Sequence, residues 1–83
     1  MKTTINTTFD VGQEIYLLTI NKDDVVPVKV HMIRAEWHPY GTGIYYDIYP
    51  TENGKYIKQG AYIKDMTDDW LFKTREEAEK GLK

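Results

Sequence analysis

A change of phase in the longest run of strand-forming residues most restricts how this chain can fold. The apolar positions of that run are even-numbered in its first half and odd-numbered in its second: Val26, Val28, Val30, Ile33, Ala35 and Trp37. Side chains along a strand point alternately to opposite faces, so a shift of one residue moves the whole apolar set to the other face. We therefore predict one strand over residues 25–37 with a β-bulge near His31 and Met32, because an inserted residue restores the apolar face and bends the strand.

Four further strands are predicted from the same period of two, since β-branched and aromatic residues alternate with polar ones between turn-forming residues. These strands cover residues 14–20, 44–49, 55–63 and 70–72. Residues 38–43 form a predicted turn that contains two glycines. Asn53 and Gly54 favour a type I′ turn, so the sequence predicts a hairpin that joins the third strand to the fourth.

The end of the chain changes to a helical pattern. Thr74 followed by Glu77 fits a capping box, in which the threonine hydroxyl accepts a hydrogen bond from the backbone N–H of the glutamate. Ala78 and Leu82 then fall on one apolar stripe. A helix over residues 74–82 is too short to be stable alone, so we predict that it docks on the strands.

The chain has 83 residues, which is the size of one small domain. Residues 1–8 are predicted to be a polar N-terminal lead without the apolar core of a signal peptide, and residues 9–83 a single domain. No apolar run approaches the roughly 18 residues that a membrane-spanning helix needs. The predicted location is therefore the cytoplasm. The predicted fold class is mainly β, a small five-stranded barrel followed by a short C-terminal α-helix.

The charge balance disfavours nucleic acid as a partner without excluding it. Eleven Lys and Arg residues stand against 13 Asp and Glu, which gives a formal net charge of −2. A nucleic-acid-binding module usually has a basic excess, because its cations replace the counterions of the phosphates. Only two of the eleven cations are Arg, the residue best suited to bidentate phosphate contacts.

Four segments of the sequence carry a resemblance to a known group of proteins. They are Phe9–Tyr16, Val30–Ile33, Gly43–Tyr46 and Leu71–Ala78. In that order they resemble the first strand, the bulged second strand, the third strand and the ending of small SH3-like barrel proteins of uncharacterised type from Gram-positive bacteria and their phages. The resemblance implies an SH3-like barrel and a phage or prophage origin. It implies no mechanism, because this group shares no common reaction.

The residue types that enzymes use for catalysis are scarce. His31 and His38 are the two histidines, and a metal site would need both together with a carboxylate such as Glu36 or Asp47. The chain has no cysteine, no Gly-x-Ser-x-Gly nucleophile motif and no glycine-rich phosphate loop. We predict that the protein is not an enzyme and that it holds no metal or other cofactor.

Three acidic residues fall close together in the loop before the last strand: Asp65, Asp68 and Asp69. Such a cluster raises the question of calcium, but the spacing, the central glycine and the final glutamate of an EF-hand loop are absent. A solvated loop is the simpler interpretation. We retain these residues as a candidate acidic binding loop.

Aromatic side chains are more numerous than so small a core needs, with seven Tyr, two Trp and two Phe. Alternation in the third strand places two tyrosines opposite its apolar residues, and other aromatic residues flank turns. The candidate aromatic face consists of Tyr45, Tyr49, Trp37, Tyr40, Tyr56 and Tyr62. Exposed Tyr and Trp often form recognition surfaces, although the same residues can also pack at the rim of a barrel with only the hydroxyl in water.

The leading functional hypothesis is a non-enzymatic interaction module that binds another protein through this aromatic face. A first alternative is a phage-encoded inhibitor of a host nucleic-acid-binding enzyme, such as an anti-CRISPR or other anti-defence protein, with its acidic clusters in a basic groove. A second alternative is a nucleic-acid-binding barrel, in which three lysines lie among two of the tyrosines: Lys55, Lys58 and Lys64 with Tyr56 and Tyr62.

Overall fold

The computed structural model of the chain describes residues 7–83. Of the predicted N-terminal lead, residues 1–6 lie outside this range. The described residues form five strands and one helix, with a 3-10 turn over Asp68–Trp70. The strands are β1 (Glu14–Leu18), β2 (Val25–His38), β3 (Gly41–Pro50), β4 (Ile63–Met66) and β5 (Leu71–Phe72), and the helix is α1 (Arg75–Glu79).

All five strands belong to one antiparallel sheet with the order β4-β3-β2-β1-β5. The prediction of a mainly β chain with five strands and a short C-terminal helix is confirmed at this level. Strands β4 and β5 are the two edges of the sheet and do not pair with each other in the described part of the chain. The sheet is therefore open rather than closed into a barrel.

The predicted bulge in β2 is confirmed. The register with β3 shifts between Val30, which lies opposite Ile48, and Met32, which lies opposite Asp47. On the N-terminal side of the shift, Val26, Val28 and Val30 are at most 1% exposed. Ile33, on the other side, lies opposite the buried Tyr46 and packs against the same core. The extra residue thus keeps both halves of the strand facing the core, as the change of phase requires.

The predicted fourth strand is wrong. Residues 55–62 belong to a loop over residues 51–62, and β4 begins only at Ile63. The Asn53-Gly54 hairpin is also wrong, because the φ of Gly54 is not positive and its N–H donates to the carbonyl of Ile57 at 2.7 Å. The carboxylate of Asp24 accepts a hydrogen bond from the backbone N–H of Lys55 at 2.7 Å. This contact, distant in sequence, stabilises the loop in place of a hairpin.

The predicted turn over residues 38–43 is shorter in the structure. Strand β2 continues to His38 and β3 begins at Gly41, so only Pro39 and Tyr40 lie between the strands. Gly41 has a φ of 136°, a conformation that glycine adopts without a steric penalty. The two strands are therefore paired to their ends.

The core lies on one face of the curved sheet. Nine buried residues form its main cluster: Phe9, Ile15, Leu17, Val26, Val28, Val30, Tyr46, Ile48 and Leu71. The ring of Phe9 packs edge-on against Tyr46 with the ring centroids 5.3 Å apart. The hydroxyl of Tyr46 accepts a hydrogen bond from the backbone N–H of Thr8 at 3.0 Å. The chain before β1 thus covers one side of the core.

Helix α1 is shorter than predicted but begins as the sequence indicates. The hydroxyl of Thr74 accepts a hydrogen bond from the backbone N–H of Glu77 at 3.2 Å. Ala78 is fully buried in a second cluster with Leu18 and Val25, which confirms that the helix docks on the strands. No helix within residues 7–83 has the length and apolar character to cross a membrane.

Candidate functional site

The hairpin of β2 and β3 extends beyond the rest of the sheet. Strand β1 pairs with β2 only over residues 25–29, and β4 pairs with β3 only between residues 46 and 48. Residues 32–45 therefore form a two-stranded ribbon, which we call the ribbon. The molecule measures 45 × 25 × 19 Å. At about 3.3 Å per residue, the 14 residues of β2 have nearly the length of its longest dimension.

The end of the ribbon presents two large aromatic side chains to solvent. Tyr40, in the turn, is fully exposed, and Trp37 is 62% exposed. Trp37 follows Ile33 and Ala35 on the face that continues the core, and Ile44 lies opposite Ala35 on β3. In the rest of the sheet, the residues on this face are buried in the core. Among the described residues, no further strand lies beside the ribbon. The ribbon thus carries an apolar stripe that leads from the core to an exposed tryptophan.

The opposite face of the ribbon is charged. Arg34, Glu36 and His38 alternate along β2, with guanidinium to carboxylate at 3.7 Å and imidazole to carboxylate at 3.6 Å. These side chains are all partly exposed, so their contacts contribute little to stability. The ribbon is therefore amphipathic, and its two faces offer different chemistry to a partner.

A buried carboxylate lies where the ribbon leaves the sheet. Asp47 is 4% exposed, and its oxygens accept hydrogen bonds from the Tyr62 hydroxyl at 2.8 Å and the Asp65 backbone N–H at 3.2 Å. The guanidinium of Arg34 lies 3.8 Å from Asp47 and forms an ion pair with the Asp65 carboxylate. We call Arg34, Asp47, Tyr62 and Asp65 the Asp47 cluster.

The Asp47 cluster holds β4 against β3. Its hydrogen bond from Tyr62 to the Asp47 carboxylate raises the pKa of Tyr62, because the phenol must keep its proton to donate. Asp65 adopts a φ of 61°, in the left-handed region, and its backbone N–H donates to Asp47. The charge of the buried carboxylate is thus balanced by Arg34 and by two donors. This arrangement anchors β4 to β3.

The candidate aromatic face does not form one surface. Tyr49 and Tyr62 flank the ring of His31, with centroids 6.2 and 5.5 Å from it. Tyr45 is half-buried and lines a shallow depression with Arg34, Glu36 and Asp65. These three tyrosines lie on the polar side of the sheet, whereas Trp37 and Tyr40 lie at the end of the ribbon.

Tyr56, the remaining aromatic candidate, belongs to the loop after β3. Its hydroxyl donates to the carboxylate of Asp23 at 2.7 Å, and the Thr19 hydroxyl donates to the same carboxylate at 2.9 Å. These two hydrogen bonds favour the charged form and lower the pKa of Asp23 below its usual value. Tyr56 therefore fixes the loop to the turn between β1 and β2, while its ring stays 63% exposed.

An apolar groove lies beside Tyr56, between the end of β1 and strand β4. Its volume is about 270 Å³, and its floor includes Leu17, Ile63 and Met66. Ile20, 77% exposed, lies at its rim. Sequence reasoning missed this groove because the loop and β4 that form it were placed wrongly. Gly60 interrupts the apolar alternation between Ile57 and Ile63, but a glycine within a strand pattern predicts a bulge as readily as a loop.

The acidic residues of the candidate loop are separated in the structure. Asp65 is paired with Arg34, and the carboxylate of Asp68 accepts a hydrogen bond from the Thr8 hydroxyl at 3.2 Å. Asp69 is exposed in the 3-10 turn. In residues 7–83 no group of three or more His, Asp or Glu side chains is placed to hold a metal ion.

Two of the lysines considered for nucleic-acid binding lie over tyrosine rings of this chain. The ammonium of Lys55 is 5.5 Å from the centroid of Tyr56, and that of Lys64 is 5.8 Å from the centroid of Tyr62. Both tyrosine hydroxyls donate to carboxylates. A phosphate approaching either lysine would therefore meet a nearby negative charge.

Comparison with protein-family models, with curated proteins and with solved structures gives no significant match.

Proposed function

We propose that this protein is a non-enzymatic module that binds another protein through the end of the ribbon, with Trp37 and Tyr40 as the main contacts. The observation that supports the proposal is the exposure of both side chains, 62% and 100%, on an element that extends beyond the sheet. Trp and Tyr are the residues most often found at the energetic centre of protein interfaces. Both offer a large contact area with few rotatable bonds.

The charge at the ribbon end favours a protein over a nucleic acid. Residues 36–43 include one glutamate and one histidine but no lysine or arginine. Stacking of bases on aromatic residues is normally accompanied by cations that contact the phosphates. The three lysines of the alternative surface lie elsewhere, and two of them are close to carboxylates. Direct nucleic-acid binding is therefore the less supported reading.

We infer the fold to be an open variant of the small SH3-like barrel. Three features support this: the pairing of β1 with both β2 and β5, the bulge in β2, and the 3-10 turn between β4 and β5. The phage or prophage origin, the cytoplasmic location and the function as an inhibitor of a host nucleic-acid-binding enzyme remain predictions from the sequence. The inhibitor hypothesis depends on clusters of acidic residues in the sequence, one of which is Asp23 and Asp24. Both of these carboxylates accept hydrogen bonds within the chain.

The proposal is tested by capture from a lysate of Gram-positive bacteria with the tagged protein and three variants. We expect Trp37→Ala and Tyr40→Ala each to lower the recovery of a specific partner at least tenfold, since each removes a central aromatic contact. Val11→Ala is the matched control, because Val11 is 63% exposed but lies outside the ribbon. Recovery lost with Val11→Ala and kept with both ribbon variants would contradict the proposal.

A nuclease arm distinguishes the nucleic-acid alternative. Capture of a protein partner should survive nuclease treatment. If capture is instead lost, and the purified protein binds a labelled oligonucleotide with an affinity that falls steeply as salt rises, the protein-binding proposal is wrong.

A further inference from the structure

We propose that the free edge of β2 pairs with the same edge of a second copy of this chain, antiparallel and with a two-fold axis at Ala35. This inference goes beyond the proposed function and does not depend on it, because it uses the backbone edge of the ribbon and not the turn that carries Tyr40. Trp37 is the one residue that belongs to both surfaces. It follows from the direction of the backbone groups along β2 and from the order of its charges.

The hydrogen bonds of Val30 show which residues of β2 direct their backbone groups to its outer edge. Its backbone N–H donates to the carbonyl of Gln13 at 3.0 Å, and its carbonyl accepts from the N–H of Gly12 at 2.8 Å. Both groups of Val30 therefore point away from β3. Before the bulge, the even-numbered residues of β2 present their backbone groups to this outer edge.

The bulge reverses this parity. One inserted residue shifts the alternation, so after Met32 the odd-numbered residues Ile33, Ala35 and Trp37 point outward. The turn supports the same assignment. His38 lies opposite Gly41 across a two-residue turn. The two residues that flank such a turn form backbone hydrogen bonds with each other, so the backbone groups of His38 point toward β3.

The outer edge of β2 is free in the described part of the chain. Pairing with β1 ends at Lys29, and Gly12 and Gln13 reach only as far as Val30. Beyond that point, no described strand pairs with residues 32–38 except β3 on the other side. An unpaired row of N–H and C=O groups is a template for a further strand.

The sequence of this edge is complementary to itself. In an antiparallel pair centred on Ala35, Arg34 of each copy lies opposite Glu36 of the other, on the charged face. Ile33 lies opposite Trp37 on the apolar face, which is a favourable aliphatic–aromatic pair. Ala35 faces its own copy, and its small side chain allows close approach. The outward residues are those that would exchange hydrogen bonds in this register.

Neighbouring registers lack this match. A centre at Ile33 places Arg34 opposite Met32 and Trp37 opposite Lys29, and a centre at Trp37 places Glu36 opposite His38. Only the centre at Ala35 pairs both charges with opposite charges. The side chains of Arg34 and Glu36 are 38% and 46% exposed. Because the guanidinium of Arg34 also contacts Asp65 across β3, Glu36 of the second copy would join an existing ion-pair network rather than meet a free cation.

The length of the free edge limits the strength of the dimer. In this register the paired segment runs from Met32 to His38 in each copy. It cannot extend further, because the backbone groups of Val30 are already hydrogen-bonded to Gly12 and Gln13 of the same chain. A single pair of short strands buries far less than the roughly 1,600 Å² of a standard interface, so we expect association only at high micromolar concentration.

Sedimentation equilibrium between about 5 and 500 µM tests the dimer. We expect the apparent mass to rise with concentration from 9.8 kDa toward twice that value. Glu36→Lys places a second cation opposite Arg34 of the other copy and should raise the dissociation constant at least tenfold. Glu79→Lys on α1 makes the same change of charge away from the edge and should leave it unchanged. A monomer at all concentrations, or equal effects of the two variants, would overturn the proposal.

A cross-linking experiment tests the position of the axis. The chain has no cysteine, so Ala35→Cys introduces a unique thiol. Opposed residues in a hydrogen-bonded pair have Cα atoms about 5.5 Å apart, within the range that a disulfide spans. In a glutathione redox buffer, Ala35→Cys should form at least ten times more disulfide-linked dimer than Thr42→Cys, which lies exposed on β3 of the same ribbon. Equal yields would exclude an axis at Ala35.

The two proposals fail separately. Tyr40→Ala should lower capture of the protein partner while leaving the concentration-dependent mass unchanged, because Tyr40 lies outside the paired segment. Trp37 contributes to both surfaces, so Tyr40→Ala is the variant that separates them. Loss of both properties with Tyr40→Ala would show that dimerisation and partner binding share one surface.

Discussion

Asp47 shows how a single charged residue fixes the base of the ribbon. Its position between Tyr46 and Ile48 places it on the polar face, where alternation alone would leave it in water. Instead, Tyr62 and Asp65 donate to it and Arg34 balances its charge. A buried carboxylate is stable only with such partners, since its loss of hydration is otherwise uncompensated. The cluster therefore connects β2, β3 and β4 on the side opposite the core.

Replacing Asp47 with alanine should destabilise the protein by about 1–3 kcal/mol, because it leaves the hydroxyl of Tyr62 and the backbone N–H of Asp65 without their acceptor, while Arg34 keeps its ion pair with Asp65. Urea unfolding at neutral pH measures the change. Asp69→Ala, at an exposed position in the 3-10 turn, is the control and should change the free energy of unfolding by less than about 0.5 kcal/mol. An equal effect of the two variants would mean that Asp47 is not an anchor.

The hydrogen bonds to Asp23 should make the free energy of unfolding depend on pH. Hydrogen bonds from Tyr56 and Thr19 lower its pKa in the folded state below the usual 3.8. Because the folded pKa is the lower one, the stabilisation is complete above the unfolded value and is lost as pH falls through the folded value. The difference in unfolding free energy between the wild type and Asp23→Asn should therefore be constant near neutral pH and shrink below about pH 4. A difference that stays unchanged down to about pH 2 would contradict this assignment.

The aromatic candidates show what residue patterns can predict about a site. The sequence predicts Trp37 and Tyr40 as candidates because they flank a turn, where aromatic residues are often exposed. Tyr45 and Tyr49 follow the predicted parity, but they are half-buried because side chains of the same face pack beside them. Which tyrosines would be covered depended on His31, Tyr62 and Arg34, contacts that no local pattern contains.

At the scale of the elements, the loop over residues 51–62 is the main departure from expectation. Strands β1, β2 and β3 could be predicted because apolar and polar residues alternate along each of them. The bulge could be predicted because this alternation changes phase within β2. Residues 55–62 show similar alternation, yet Asp23 and Asp24 bind the loop at Tyr56 and Lys55, and Gly60 donates its N–H to the carbonyl of Pro50 at 3.0 Å. These tertiary hydrogen bonds outweigh a weak local preference for strand.

Gly54→Ala tests the packing of this loop. A Cβ atom at position 54 would lie 2.5 Å from Cγ2 of Val26, a fully buried residue with little freedom to move. We expect a loss of about 1–3 kcal/mol in the free energy of unfolding, since overpacking forces the loop or the core to shift. Glu52→Ala, exposed in the same loop, should have little effect. An unchanged melting temperature for Gly54→Ala would show that the loop does not pack on Val26.

At the scale of the whole molecule, an open sheet and an extended ribbon divide the chain into two parts. The sheet, loop and helix enclose the main buried cluster and the smaller one beneath α1, and burial of these residues accounts for stability. The ribbon continues the same strands past that core and carries an apolar stripe, a charged face and two exposed aromatic residues. A protein that needed only to fold would gain nothing from exposing Trp37, because an exposed indole loses the benefit of burial. This part of the molecule is therefore the one that we assign to binding.

Site-specific photo-cross-linking tests that assignment most directly. A benzoylphenylalanine in place of Tyr40 is compared with the same group in place of Val11 and of Lys80, both exposed outside the ribbon. With a lysate of Gram-positive bacteria, we predict a discrete cross-linked protein from position 40, lost when excess unlabelled wild type competes, and none from the other two positions. Cross-links from position 11 or 80 with none from position 40 would contradict the claim that the ribbon is the binding surface.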